Sequence, residues 1–320
     1  MYIEEGYRSL HEGWRYFIGI LIIMVGWQIV GFVPLIVGVV LKSDNVLNAL
    51  SNLDVMAADL GSNLFFFLLL LSFAIGLATL FFTSKVVHKQ SLTSLTTSRK
   101  KIDWKRVMFS FVLWGIVSLV LLFLDIWLSP ENYEFNLKLG PFLILVVIAL
   151  IMIPLQTSFE EYLMRGYVMQ GLGIIVKNRW VPLLITSSVF GLLHIFNPEV
   201  EKLGYGIMVF YIGTGLLLGI MTLMDEGLEL AIGFHAVNNL VAAIFVTAEW
   251  TAFETDSLYK DISEPELGWS ILLPVLVIYP ILLLILSKKY GWSNWKEKLT
   301  GKVLSKEDWI EKSGDELGLH

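Results

Sequence analysis

Eight apolar stretches punctuate this chain, at 14–41, 64–83, 107–128, 141–156, 180–196, 205–224, 228–248 and 269–286. About 20 mostly apolar residues let a helix cross the hydrocarbon core of a bilayer, and most of these stretches reach or approach that length. A water-soluble globule has no means of hiding so many. Hydrophobic residues make up 56% of the 320 and charged residues 16%, against roughly 45–50% and 25% in soluble domains. The expected fold is an all-α polytopic membrane helical bundle with about eight transmembrane helices.

Lysine and arginine set the expected orientation, because connections rich in them stay cytoplasmic. The segment after the second stretch holds Lys85, Lys89, Arg99, Lys100, Lys101, Lys105 and Arg106. The segment after the fourth holds Arg165, Lys177 and Arg179, and the tail holds Lys288, Lys289, Lys296, Lys298, Lys302 and Lys306. The alternate connections carry at most one each. This alternation predicts a multi-pass protein of the cell membrane with cytoplasmic N- and C-termini, a transmembrane domain over 1–290 and a cytoplasmic tail over 291–320. Asp225-Glu226-Gly227 is an acidic exception on the basic side. Trp14, Trp104, Trp127, Trp180, Trp250, Trp269, Tyr290 and Trp292 stand near stretch ends, as an interfacial belt requires. The first stretch is too long for a signal peptide and reads as a retained span. A net charge of −6 gives no basic footprint for nucleic acid. With no cysteine, disulfides and Cys-ligated metal are excluded.

Ionisable groups inside spans are costly and by default mark function. They are few here: Asp125, Glu160, Glu161, Arg165, His194 and His235, with Asn238 and Asn239 beside the last. In the run Glu160-Glu161-Tyr162-Leu163-Met164-Arg165-Gly166, Glu161 and Arg165 stand one helical turn apart and can pair. Glu160 is rotated by about 100° and is left for other work. Phe190-Gly191-Leu192-Leu193-His194 and His235-Ala236-Val237-Asn238-Asn239 each bring a histidine into a later stretch, and His235 shares a helix face with Asn239. Singly, these read as a juxtamembrane charge cluster and as interhelical hydrogen-bonding glue. Together, a carboxylate, two imidazoles and an amide form a kit for activating water and holding an oxyanion. His11, His88 and His320 fall in the terminus, a loop and the tail.

Glu-Glu-x-x-x-Arg-Gly at 160–166, Phe-Gly-Leu-Leu-His at 190–194 and His-Ala-x-x-Asn at 235–239 come in that order on successive stretches. The set resembles the CAAX-protease and bacteriocin-processing (CPBP, or Abi) intramembrane endopeptidases, within 144–246. The resemblance implies hydrolysis of peptide bonds in membrane-associated substrates, of CAAX type or as bacteriocin and leader peptides. It implies Glu160 as general base, His194 positioning the water with it, and His235 and Asn239 binding the tetrahedral intermediate. Glu161 and Arg165 would support them from behind. No cofactor is expected; the alternative is Zn²⁺ on Glu160, His194 and His235, a donor set zinc accepts, although His-Glu-x-x-His and His-x-x-Glu-His are absent. Expected partners are the lipid bilayer and a membrane-associated peptide or protein. The rival readings are a non-catalytic immunity or scaffold protein and a proton-coupled transporter, the latter lacking the repeated halves such folds show.

A count along the helices places Glu160 past the apolar part of its stretch and His194 late in the next, at different depths. As one helix, 141–176 would run about 50 Å. Passing obliquely, it would carry Glu160 well inside and bury Arg165, with the site opening toward the cytoplasmic side. Pro34 and Pro154 are expected to kink their helices. Gly213, Gly215 and Gly219 should pack closely on neighbours, and Asp125 should make a helix-end contact.

Overall fold

The computed structural model describes residues 1–251 and 254–313; the side chains of Trp269, Ser270 and Ser313, and the tail from 314 to His320, lie outside the described residues. Eight helices follow the eight apolar stretches: α1 (Gly13–Lys42), α2 (Ser62–Val86), α3 (Trp104–Leu128), α4 (Leu139–Val176), α5 (Trp180–Leu192), α6 (Tyr205–Asp225), α7 (Glu229–Phe245) and α8 (Ile271–Tyr290). Six are long and apolar enough to cross a membrane, whereas α5 and α7 have only 13 and 17 residues. Val112, Ile116 and Val120 on α3, with Leu143, Val147 and Leu150 on α4, are exposed. Apolar faces of this kind on a folded chain belong against lipid.

Not all of the chain is helical. A small three-stranded sheet, β1 (Tyr133–Phe135), β2 (Val246–Thr247) and β3 (Tyr259–Asp261), has the order β1-β3-β2. β3 runs antiparallel to β1, with Tyr259 opposite Phe135, and parallel to β2, with Tyr259 opposite Val246. It ties the α3–α4 connection to the α7–α8 connection. Asp125, at the end of α3, accepts a hydrogen bond from the Tyr133 hydroxyl there.

The helix α4 is the spine of the site. Its first half is largely exposed, and from Glu161 to Tyr167 every residue is buried. The helix continues through Pro154 to Glu161, so that proline does not break it. Over Tyr162–Val168 the turns widen to π-helical geometry, a local insertion often found at functional sites. Lys177, in a left-handed conformation with φ 58°, ends the helix. α1 is interrupted at Gly31–Phe32, after a π-helical stretch over Val25–Val30, and Pro34 sits in the first turn of the α-helix that resumes at Val33, where its missing N–H costs nothing. A Cβ on Gly215 would lie 2.7 Å from the Ser187 carbonyl of α5, one on Gly219 would lie 2.5 Å from Leu183, and one on Gly213 would lie 2.6 Å from Val275 of α8. These glycines let α6 approach two helices at once.

The N-terminal turn and the described part of the tail gather at the basic end of the bundle. The N-terminal turn Ile3–Arg8 and the tail helices Trp295–Thr300 and Lys306–Ser313 lie there, and Ile3, Tyr7, Val303 and Trp309 share one buried cluster. The acidic exception is neutralised in the same place. Asp225 takes Arg99 at 3.0 Å, Arg106 and the Trp292 indole, Glu229 takes Arg99 at 3.2 Å, and Glu226 takes Lys298 at 3.2 Å. Trp292 is therefore buried in an ion-pair cluster rather than lying in an interfacial belt.

Candidate active site

Three helices bring the motif residues together. On α4, Gln156 donates Nε2–H to Glu160 Oε1 at 2.6 Å. The second carboxylate oxygen, Oε2, is buried and has no hydrogen-bond partner among the described residues. His235 of α7 faces it, with Nε2 at 3.5 Å. The other ring nitrogen, Nδ1, donates to Glu161 Oε1 at 2.8 Å. A carboxylate only accepts, so Nδ1 carries the proton and Nε2 is the nitrogen left toward Glu160. Arg165 donates to the same Glu161 oxygen at 2.9 Å and to the Gly215 carbonyl at 2.9 Å. The Glu161–Arg165 pair is fully buried and leaves Glu160 out, as the helical spacing predicts.

His194 is not inside a helix. The α-helix stops at Leu192, and His194 and Ile195 donate their N–H groups to Gly191 and Leu192, three residues back, at 2.9 and 3.1 Å. Asn197 is then extended before Pro198, as a residue preceding proline tends to be. The continuation of α4 as far as Val176 resolves the depth problem. His194 lies about 21 Å along the chain direction of α5 from Trp180, and Glu160 about 24 Å along α4 from Val176, so the two stand at similar heights above their shared turn. His194 donates Nδ1–H to the Phe190 carbonyl at 2.8 Å and stacks on Tyr211 with ring centres 4.5 Å apart. The Phe190 ring sits under the Arg165 guanidinium at 4.4 Å and contacts His194 and His235 at 5.0 and 5.7 Å. The phenylalanine of the second motif is thus the apolar hub of the site.

A cavity of about 310 Å³ meets this cluster. Glu160, Gln156, His194 and Asn239 line it, with Trp27, Phe73, Phe159 and Phe190 among its apolar walls. Asn239 donates Nδ2–H to Gln156 Oε1 at 3.2 Å. His235 is not part of the lining and meets the space only through Glu160. The cavity continues to the exposed residues Asp54, Glu249 and Glu254, which lie in the α1–α2 and α7–α8 connections, at the end opposite the basic one. The expected opening on the basic side is therefore not found. Packing explains why: on that side α4 is buried from Glu161 to Tyr167, and the Tyr2 hydroxyl bonds to the Leu95 carbonyl at 2.7 Å and lies 3.2 Å from that of Arg165.

Among the described residues no three His, Asp or Glu side chains stand close enough to hold a metal ion. Glu160, His194 and His235 are thus not gathered as a zinc ligand set. Gln156 is the site residue that motif reasoning passes over; its signal in the sequence is the i, i+4 spacing to Glu160 at the end of an otherwise apolar stretch.

Residues 138–241 match the family model described as type II CAAX prenyl endopeptidase Rce1-like. That segment contains Gln156, Glu160, Glu161, Arg165, His194, His235 and Asn239. A Bacillus subtilis (strain 168) protein named uncharacterized protein YyaK is 28% identical over 262 residues, which cover 81% of this chain and 83% of that one. No solved structure matches the chain significantly. The helical bundle thus contains, over residues 138–241, a segment similar to the Rce1-like, type II CAAX prenyl endopeptidase family.

Proposed function

We propose that this protein is an intramembrane endopeptidase of the CAAX-protease type, hydrolysing a peptide bond in a membrane-associated peptide or protein with water activated at Glu160. One observation carries the reading: a buried carboxylate oxygen with no hydrogen-bond partner among the described residues, Glu160 Oε2, on a residue that lines a cavity together with His194 and Asn239. Because His194 Nδ1 is committed to a carbonyl, its Nε2 is free to accept a hydrogen bond. A water between Glu160 and His194 gives its proton to Oε2 as its oxygen attacks the substrate carbonyl. The second N–H of Asn239 Nδ2 donates to the oxyanion, while His235, which reaches the cavity only through Glu160, steadies that carboxylate. Glu160 then returns the proton to the leaving amine, and the products are a carboxylate and an amine. Under this reading the basic end faces the cytoplasm, by the usual bias of lysine and arginine.

The test is cleavage of an internally quenched library of transmembrane peptides by purified protein in detergent. Wild type cleaves, taking one oxygen from labelled water into the new carboxylate. Glu160→Gln loses about 10³-fold or more, and His194→Ala about 10²-fold or more, the range for general-base and water-positioning groups. Wild-type rates in Glu160→Gln would remove the base assignment.

A further inference from the structure

Glu160 Oε1 is the last acceptor of a hydrogen-bond chain that starts on α3, outside the segment matched to the family. Trp114 Nε1 donates to Asn238 Oδ1 at 3.1 Å, Asn238 Nδ2 to Asn239 Oδ1 at 3.2 Å, Asn239 Nδ2 to Gln156 Oε1 at 3.2 Å, and Gln156 Nε2 to Glu160 Oε1 at 2.6 Å. Its two ends admit one direction only. An indole N–H donates and never accepts, and an ionised carboxylate accepts and never donates. Between them, each of the three amides must turn its oxygen toward Trp114 and its nitrogen toward Glu160. Reversing any one of them sets oxygen against oxygen and nitrogen against nitrogen.

The origin of the chain is held by packing. Trp114 is buried, with ring centres 4.5 Å from Phe234 and 5.8 Å from Tyr279. The final link is short, as a charge-assisted bond should be, and bonds in series polarise one another. The result is a carboxylate pinned through one oxygen, with the other buried opposite His235 Nε2 at 3.5 Å, on a residue that lines the cavity. We propose that Trp114, Asn238 and Gln156 are positioning residues that act through this one-way chain to fix the orientation of the Glu160 carboxylate; the catalytic part of this rests on Glu160 being the base.

The experiment uses full-length protein, the quenched peptide that wild type cleaves fastest, and the variants Gln156→Leu, Trp114→Phe and their double. Gln156→Leu lowers kcat about 10- to 100-fold with KM within about twofold of wild type, since misorientation affects the transition state and not binding. Trp114→Phe keeps the ring packing and lowers kcat by about 3- to 10-fold. The double variant is no slower than Gln156→Leu alone, because a chain already cut transmits nothing. A readout free of turnover accompanies this: the carboxylate infrared band of Glu160, isolated as wild type minus Glu160→Gln with ¹³C-labelled glutamate, moves in Gln156→Leu. Losses that multiply in the double variant, or an unmoved band and unchanged kcat in Gln156→Leu while Glu160→Gln is inactive, overturn the proposal. Cleavage surviving in Glu160→Gln instead removes the base reading, and the infrared band still decides whether the chain holds the carboxylate.

Discussion

At His235 the two ring nitrogens face different carboxylates, Glu161 at 2.8 Å and Glu160 at 3.5 Å. Glu161 therefore has two duties, neutralising Arg165 and fixing the imidazole. Glu161→Gln takes from the fully buried guanidinium its directly paired carboxylate, leaving it only neutral oxygens to bond, which should cost about 3 kcal/mol or more of stability. Cleavage should fall with it, as His235 loses its fixed tautomer. Adding Arg165→Met removes the orphaned charge, so the double variant should melt at a higher temperature than Glu161→Gln alone while remaining inactive. Thermal denaturation in detergent beside a cleavage assay separates the two duties; a double variant that melts lower would show that the ion pair is not what the site depends on for stability. The Glu161–Arg165 pair is legible in the sequence because i, i+4 groups share a helix face. The Glu161–His235 bond is not, because it joins residues 74 positions apart and depends on how α7 lies against α4. His88 makes the same point: it reads as a loop residue, yet it is fully buried, bonded to the Leu10 carbonyl at 2.7 Å and the Tyr167 hydroxyl at 2.6 Å.

At the scale of elements, the existence of all eight helices was readable from apolar run length, and α5 shows where that reading stops. Hydropathy continues through Leu193, Ile195 and Phe196, so it carries the stretch to 196, while Pro198 and the turn before it end the helix at Leu192. Backbone geometry, and not side-chain polarity, sets the height of His194. The two motif glycines differ in the same way. A Cβ on Gly191 would stand 2.4 Å from Ile212 Cγ1 and 3.0 Å from its backbone nitrogen, whereas one on Gly166 would meet Leu95 at 3.4 Å, an ordinary contact. Gly191→Ala should push α5 off α6 and destabilise the protein by about 2 kcal/mol. Gly166→Ala should stay within about 1 kcal/mol of wild type, with helix propensity in its favour. Unfolding midpoints of the two variants check this, and equal midpoints would mean that the α5–α6 approach is not tight.

For the whole molecule, the distribution of charge and the direction of the cavity point to opposite ends. Lys100, Lys101 and the helices Trp295–Thr300 and Lys306–Ser313 lie at one end, and Asp54, Glu249 and Glu254 surround the other end of the cavity. The alternation of lysine and arginine is legible from sequence; the end at which the cavity opens is not, because it follows from what the N-terminal turn and the π-helical part of α4 fill. A chain without cysteine is suited to a direct check. With the basic end cytoplasmic, Asp54→Cys should react with a membrane-impermeant maleimide on intact cells, and Lys101→Cys only after lysis. The reverse pattern would invert the proposed orientation. The plug formed by Tyr2, Leu95 and the buried turn around Arg165 has a consequence of its own. Under the proposed function, a reaction centre wetted from a single compartment exchanges protons and releases its fragments there alone, so acidity on the sealed flank of the membrane leaves it untouched, and the two newly made chain ends part company on the flank where the mouth lies.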